Sequence, residues 1–234
     1  MTNLKIQDLS FRYTKDTAWL LENFNFETES GDIIAVKGSS GSGKTTLLNI
    51  LCGVIPKMIS GDFHGKVFIS HEDLKNLSLP QISPKISLLM QEPENQLFFP
   101  LVELELAFGP ENLLVEPEKI KRRIDDSLQK LEIEDLRFEN TADLSFGQKK
   151  LIAFTSLLTL SPDIYLLDEP SAGLSDKYVQ IMKNIITELS RSGKIIFIAD
   201  HMEKLLEISN KEINLNNSSS EERSETGLEL VTSY

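Results

Sequence analysis

The run Gly38-Ser39-Ser40-Gly41-Ser42-Gly43-Lys44-Thr45 fills every fixed position of a phosphate-binding loop, G-x-x-x-x-G-K-[ST]. Glycines let the backbone curl so that successive N–H groups point at phosphate oxygens, and a helix starting there adds partial positive charge. Lys44 supplies a full charge for the β and γ phosphates and Thr45 a hydroxyl for Mg²⁺, with Thr46 closing the nucleotide-binding set. A second run, Ile164-Tyr165-Leu166-Leu167-Asp168-Glu169, is an apolar stretch that delivers two carboxylates at its end. Alone, an Asp-Glu pair reads as an acidic turn closing a buried strand. Beside a phosphate loop it reads as chemistry: Asp168 reaches Mg²⁺ through water, and Glu169 polarises the water that attacks the γ-phosphate of ATP.

Such residues need a sheet to hold them at one edge. Short apolar runs at Ile33 to Val36, Ile86 to Met90, Ile164 to Leu167 and Ile195 to Ala199 predict buried strands, and longer stretches of helical period lie between them. Ile120, Ile124, Leu128 and Leu131 recur at helical spacing after Pro117, which suits a first turn. Val179, Met182, Ile186 and Leu189 mark one face of a helix from Asp176 to Arg191, with Gly193 as its stop. The alternation predicts an α/β fold with a mostly parallel sheet, whose ligands bind at the carboxyl ends of the strands.

Between the two chemical runs lies Leu144-Ser145-Phe146-Gly147-Gln148, which resembles the L-S-G-G-Q signature of ATP-binding cassette (ABC) ATPases. The resemblance extends from about Leu4 to Leu215, with Gln91 matching the family's Q-loop, His201 its switch histidine and Tyr13 its adenine-stacking aromatic. Phe11, two residues from Tyr13, is an alternative for the stacking role. The resemblance implies a P-loop NTPase core (1–91 and 160–215) with an antiparallel β subdomain and a helical subdomain inserted at 92–159, followed by a polar tail at 216–234. It also implies that Gln91 joins Thr45 and Asp168 at Mg²⁺, that Lys44, Gln91, Glu169 and His201 are catalytic, and that Ser145, Gly147 and Gln148 bind the nucleotide held by a second cassette subunit. Ser145 as N-cap makes that second helix start an anion site in its own right.

The stretch from Gln91 to Phe98, together with Glu105 to Asn112 and Ile55-Pro56-Lys57, is similar to energy-coupling factor ATPases. That similarity implies importers of vitamins or transition-metal ions, with a transmembrane coupling protein and a substrate-binding membrane protein as partners. Two positions depart from the family. Phe146 replaces the first glycine of the signature pair, where a bulky ring would pack on the neighbouring subunit or slow closure, and Ser175 stands where the D-loop carries aspartate, although it suits a helix N-cap. Lys149 and Lys150 follow Gln148 with no role assigned.

Length and composition bound the rest. The chain has 234 residues, 40% hydrophobic and 26% charged, and reads as globular. Lys plus Arg total 24 against 36 Asp plus Glu, so a formal charge of -12 argues against nucleic acid as a partner. The single cysteine, Cys52, forms no internal disulfide and fits a small buried side chain in a reducing compartment. The first residues lack the apolar run of a signal peptide, and no window approaches a membrane span, so the expected location is the cytoplasmic face of a membrane, peripheral to another chain. The tail from Asn216 reads as a linker, with Leu228, Leu230 and Val231 as candidates for a final strand. Export, a regulatory subunit of a heterodimer, and a soluble cassette ATPase without transport are the competing functions.

Overall fold

In the computed structural model, which describes residues 2–216, two sheets and a group of helices share two buried interfaces. Along the chain, β1 (Asn3–Arg12) and β2 (Leu21–Glu29) precede β3 (Ile33–Lys37), α1 (Lys44–Leu51) and the irregular turn α2 (Val54–Lys57). Then come β4 (Asp62–Ile69), β5 (Glu72–Asp73), α3 (Leu79–Ile82) and β6 (Ile86–Leu89). Three helices follow, α4 (Val102–Asn112), α5 (Pro117–Leu131) and α6 (Phe146–Leu160). The chain returns through β7 (Ile164–Asp168), α7 (Asp176–Arg191), β8 (Ile195–Ala199), α8 (Glu203–Leu206) and β9 (Lys211–Asn214).

The central sheet has the order β6-β7-β8-β3-β9, with every pairing parallel. Its strands read as unbroken apolar runs because both faces are covered. Side chains alternate between the two: Ile34, Val36, Leu166 and Phe197 pack toward α1 and the antiparallel sheet β2-β1-β4-β5. Ile33, Ala35, Tyr165, Leu167, Ile196 and Ile198 pack toward α5, α6 and α7. The four strands expected from the sequence and the helices at Pro117 and Asp176 all form, β3 and β7 each running one residue further, to Lys37 and Asp168, and β6 stopping one residue short, at Leu89.

Local signals explain the ends of these elements. Pro117 occupies the first turn of α5, which buries Ile120, Ile124, Leu128 and Leu131. Ser145 N-caps α6 through a reciprocal box: the Gln148 N–H donates to Ser145 Oγ at 3.3 Å, and the Ser145 N–H donates to Gln148 Oε1 at 2.9 Å. Ser175 takes the N-cap backbone conformation ahead of α7, but its hydroxyl makes no capping hydrogen bond, a correction to its expected role. The Cys52 thiol is partly buried, and burial raises its pKa, in keeping with a packing role. Among the described residues no helix is long and apolar enough to cross a membrane. The candidate strand at Leu228, Leu230 and Val231 lies outside the described residues.

Candidate active site

All four strands that carry chemistry end at the same edge of the parallel sheet. β3 leads into the phosphate loop, β6 into Gln91, β7 into Asp168 and Glu169, and β8 into His201. One cleft of about 510 Å³ is lined by Tyr13, Ser40, Gly41, Gly43, Lys44, Thr45, Thr46, Gln91, Glu169 and His201. Gly43 begins α1 with a φ of 101°, a left-handed conformation that glycine adopts without strain. Lys44 Nζ donates to the Gly38 carbonyl at 2.7 Å and the Ser39 carbonyl at 3.1 Å, which folds the ammonium across the loop. Within the same loop, Ser42 Oγ is buried without a hydrogen-bond partner among the described residues, an orphan that suits a loop shaped for a ligand.

The carboxylates sit in contrasting surroundings. Asp168 is almost fully buried, and burial pushes its pKa up, aided by the neighbouring Glu169 charge and opposed by the Thr45 hydroxyl and the Lys150 and Lys44 ammoniums. A buried acid beside a hydroxyl, with a second acid next to it, is a donor set that Mg²⁺ fits. Glu169 lies at the cleft wall with a backbone φ of 46°, an uncommon conformation for a side chain of its size. Its N–H donates to the Ala199 carbonyl at 2.7 Å, and its Oε1 lies 3.5 Å from His201 Nε2. Strain of this kind collects at functional positions.

Tyr13 is half-exposed at the cleft mouth, and its hydroxyl lies 2.8 Å from Thr46 Oγ1, so Thr46 braces the tyrosine rather than facing the cleft alone. Phe11 is fully buried and meets Tyr13 edge-on, which removes it as the stacking aromatic. Ser145, Gly147 and Gln148 do not line this cleft. They stand at the start of α6, where Gly147 allows a close approach: a Cβ there would lie 2.6 Å from the Gly173 carbonyl.

Phe146 packs within its own chain, its ring against Gly173 and 5.6 Å from Lys150 Nζ. Asn216, expected in the linker, is held: its Oδ1 accepts from the Ser39 N–H at 2.7 Å.

Several residues that position the site went unread in the sequence. Asp200, buried, accepts from the Ser171 N–H at 3.0 Å, the Ser171 hydroxyl at 2.8 Å and the Met202 N–H at 2.8 Å, pinning the loop after β7 to the loop after β8. Its place just before His201 was the available signal. Lys150 is fully buried, and Gln96 bridges the Met90 N–H at 3.0 Å and the Ala153 carbonyl at 3.4 Å. Glu94 pairs with Lys149 at 2.6 Å. Glu94 and Gln96 thus fasten the loop after β6 to α6.

A profile of the ABC transporter family matches residues 21–172. The chain is 35% identical over 203 residues to the energy-coupling factor transporter ATP-binding protein EcfA of Methanococcus maripaludis, covering 86% of this chain and 71% of that one. It is 33% identical over 221 residues to EcfA2 of Caldanaerobacter subterraneus, covering 91% and 76%. A relative in Methanosarcina acetivorans is 33% identical over 201 residues, and the chain spans only 31% of that protein's length. Among solved structures, cbiO1 from Clostridium perfringens, part of the ABC transporter complex cbiONQ, superposes with a TM-score of 0.76 at 28% identity, covering 90% of this chain and 83% of that one.

Proposed function

The chain belongs to the ABC transporter family of ATP-binding proteins, and on that premise we propose that it is the ATP-hydrolysing subunit of a membrane importer of the energy-coupling factor type, serving a vitamin or a transition-metal ion. The observation that carries the ATPase reading is the convergence of Lys44, Thr45, Gln91, Glu169 and His201 on one cleft, and the importer type rests on the similarity to energy-coupling factor ATP-binding proteins. In it Lys44 and the loop N–H groups hold the phosphates of ATP, and Tyr13 stacks on the adenine. Thr45, Asp168 and Gln91 would hold Mg²⁺, which would supply positive charge against the phosphate charge that develops during hydrolysis. Glu169 orients and polarises the attacking water, and His201, 3.5 Å away, steadies it.

The capped start of α6 supports a head-to-tail dimer. Its Ser145 hydroxyl and Gly147 N–H stand at a helix start away from the chain's own cleft, a place suited to the γ-phosphate of a second cassette. Hydrolysis removes the anion that holds the two together. Beside the Q-loop, the Phe98 and Phe108 rings lie 5.9 Å apart and join exposed Leu104, an apolar patch suited to a membrane partner. Glu105, buried, holds this patch by accepting from the Phe98 and Phe99 N–H groups, each at 2.9 Å.

The test is to tag the chain in its native cell, solubilise membranes in mild detergent and identify what co-purifies. The proposal expects a second cassette ATPase and a multi-span membrane protein. Recovery of soluble partners alone would remove transport and leave the ATPase chemistry standing.

A further inference from the structure

Among the described residues Lys150 is the largest charged side chain that is fully buried, and no catalytic or binding step assigned to the cleft uses it. Its Nζ donates to the Met90 carbonyl at 3.1 Å and to the Gln91 carbonyl, so a residue on the second turn of α6 grips the backbone of the Q-loop. Burial lowers its pKa while the nearby charges of Asp168, Glu92, Glu169 and Asp200 pull it back up. The Phe146 ring lies 5.6 Å from the ammonium and also covers Gly173, in the loop between β7 and α7. A buried ammonium satisfied by two backbone carbonyls is an expensive way to fill space, since an apolar side chain of the same volume packs there without the desolvation cost.

The geometry points to Lys150 as a positioning residue: clasped by the Met90 and Gln91 carbonyls and roofed by Phe146, it makes the start of α6 and the backbone that carries Gln91 move as one body. Whatever seats against the Ser145 end of α6 is thereby felt at Gln91, and nucleotide seated beside Gln91 is felt at Ser145. Phe146, in place of the family's glycine, adds the loop at Gly173 to the same body. The inference rests on the reading of the cleft as a nucleotide site.

Hydrogen exchange on the full-length chain, with and without a non-hydrolysable ATP analogue and Mg²⁺, tests it in wild type, Lys150→Met and Phe146→Leu. In wild type, nucleotide slows exchange at 38–45, at 90–96 and at 145–150. Lys150→Met keeps the effect at 38–45 and cuts the other two by about twofold or more, a nucleotide-dependent difference that a merely structural lysine would not produce. Its turnover falls about fivefold while KM for ATP changes by less than about twofold. Phe146→Leu, at a half-exposed position, loses part of the same response and decides the matter should Lys150→Met fold poorly. An unchanged response at 90–96 and 145–150 in both variants overturns the proposal alone. No protection at 38–45 in wild type overturns the nucleotide reading and the proposal with it.

Discussion

At the scale of single residues, side-chain type and neighbours divide the work of the cleft. Asp168 and Glu169 are adjacent in sequence, yet one is buried against Thr45 and the other opens on the cleft next to His201. The left-handed backbone at Glu169 turns the chain so that the two carboxylates leave the strand in different directions, and the bond from its N–H to Ala199 holds the turn. Tyr13 carries a prediction of its own. Base–aromatic stacking is worth about 1–3 kcal/mol, so Tyr13→Ala should raise the Kd for ATP about tenfold. Tyr13→Phe keeps the ring, loses only the contact with Thr46, and should change Kd by less than about threefold. Equal losses in a fluorescent-nucleotide titration would remove the stacking role. The phosphate loop and the acidic pair were legible because their chemistry is set by local spacing. Lys150 and Asp200 were not, because a charged residue's burial and its partners depend on what folds over it, and neither is a property of the nearby sequence.

At the scale of elements, the parallel strands were readable where both faces are covered, since each then shows as a continuous apolar run. The antiparallel strands were harder. β2 alternates exposed and buried positions and β4 is exposed over its middle, so neither stands out as a run. Strand order was not readable at all, because β3 takes its place between β8 and β9 through pairings formed far along the chain. One polar knot secures that late pairing. Asp32 accepts from the Thr28 hydroxyl at 2.7 Å, the Glu29 N–H at 2.8 Å and Asn210 Nδ2 at 3.2 Å, and pairs with Lys211 at 2.8 Å. Burial alone would raise its pKa, but the Glu29 N–H, Lys211 and Thr28 outweigh it and leave the pKa lowered. The stability Asp32 contributes is therefore fully present above the unfolded-state pKa, about 3.9, and lost as pH falls through the lower folded-state value. Asp32→Asn should cost about 1–3 kcal/mol in urea unfolding at neutral pH, with the gap to wild type shrinking at pH values below the unfolded pKa. A gap constant with pH would contradict this.

At the scale of the whole molecule, the two helix starts proposed to bind phosphate lie on separate surfaces, α1 in the cleft and α6 outside it. The proposed head-to-tail dimer would complete each of these two half-sites with the other chain's. Between them run the fastenings of Lys150 to the Met90 carbonyl, of Gln96 to α6 at Ala153 and of Asp200 to Ser171. The central claim is that Glu169 polarises water for ATP hydrolysis in this cleft. Its most direct test is steady-state ATP turnover by the full-length chain and by Glu169→Gln, with nucleotide binding measured on the same preparations. The account predicts a fall in turnover of about a hundredfold or more with binding retained. Equal turnover in the two proteins would contradict it.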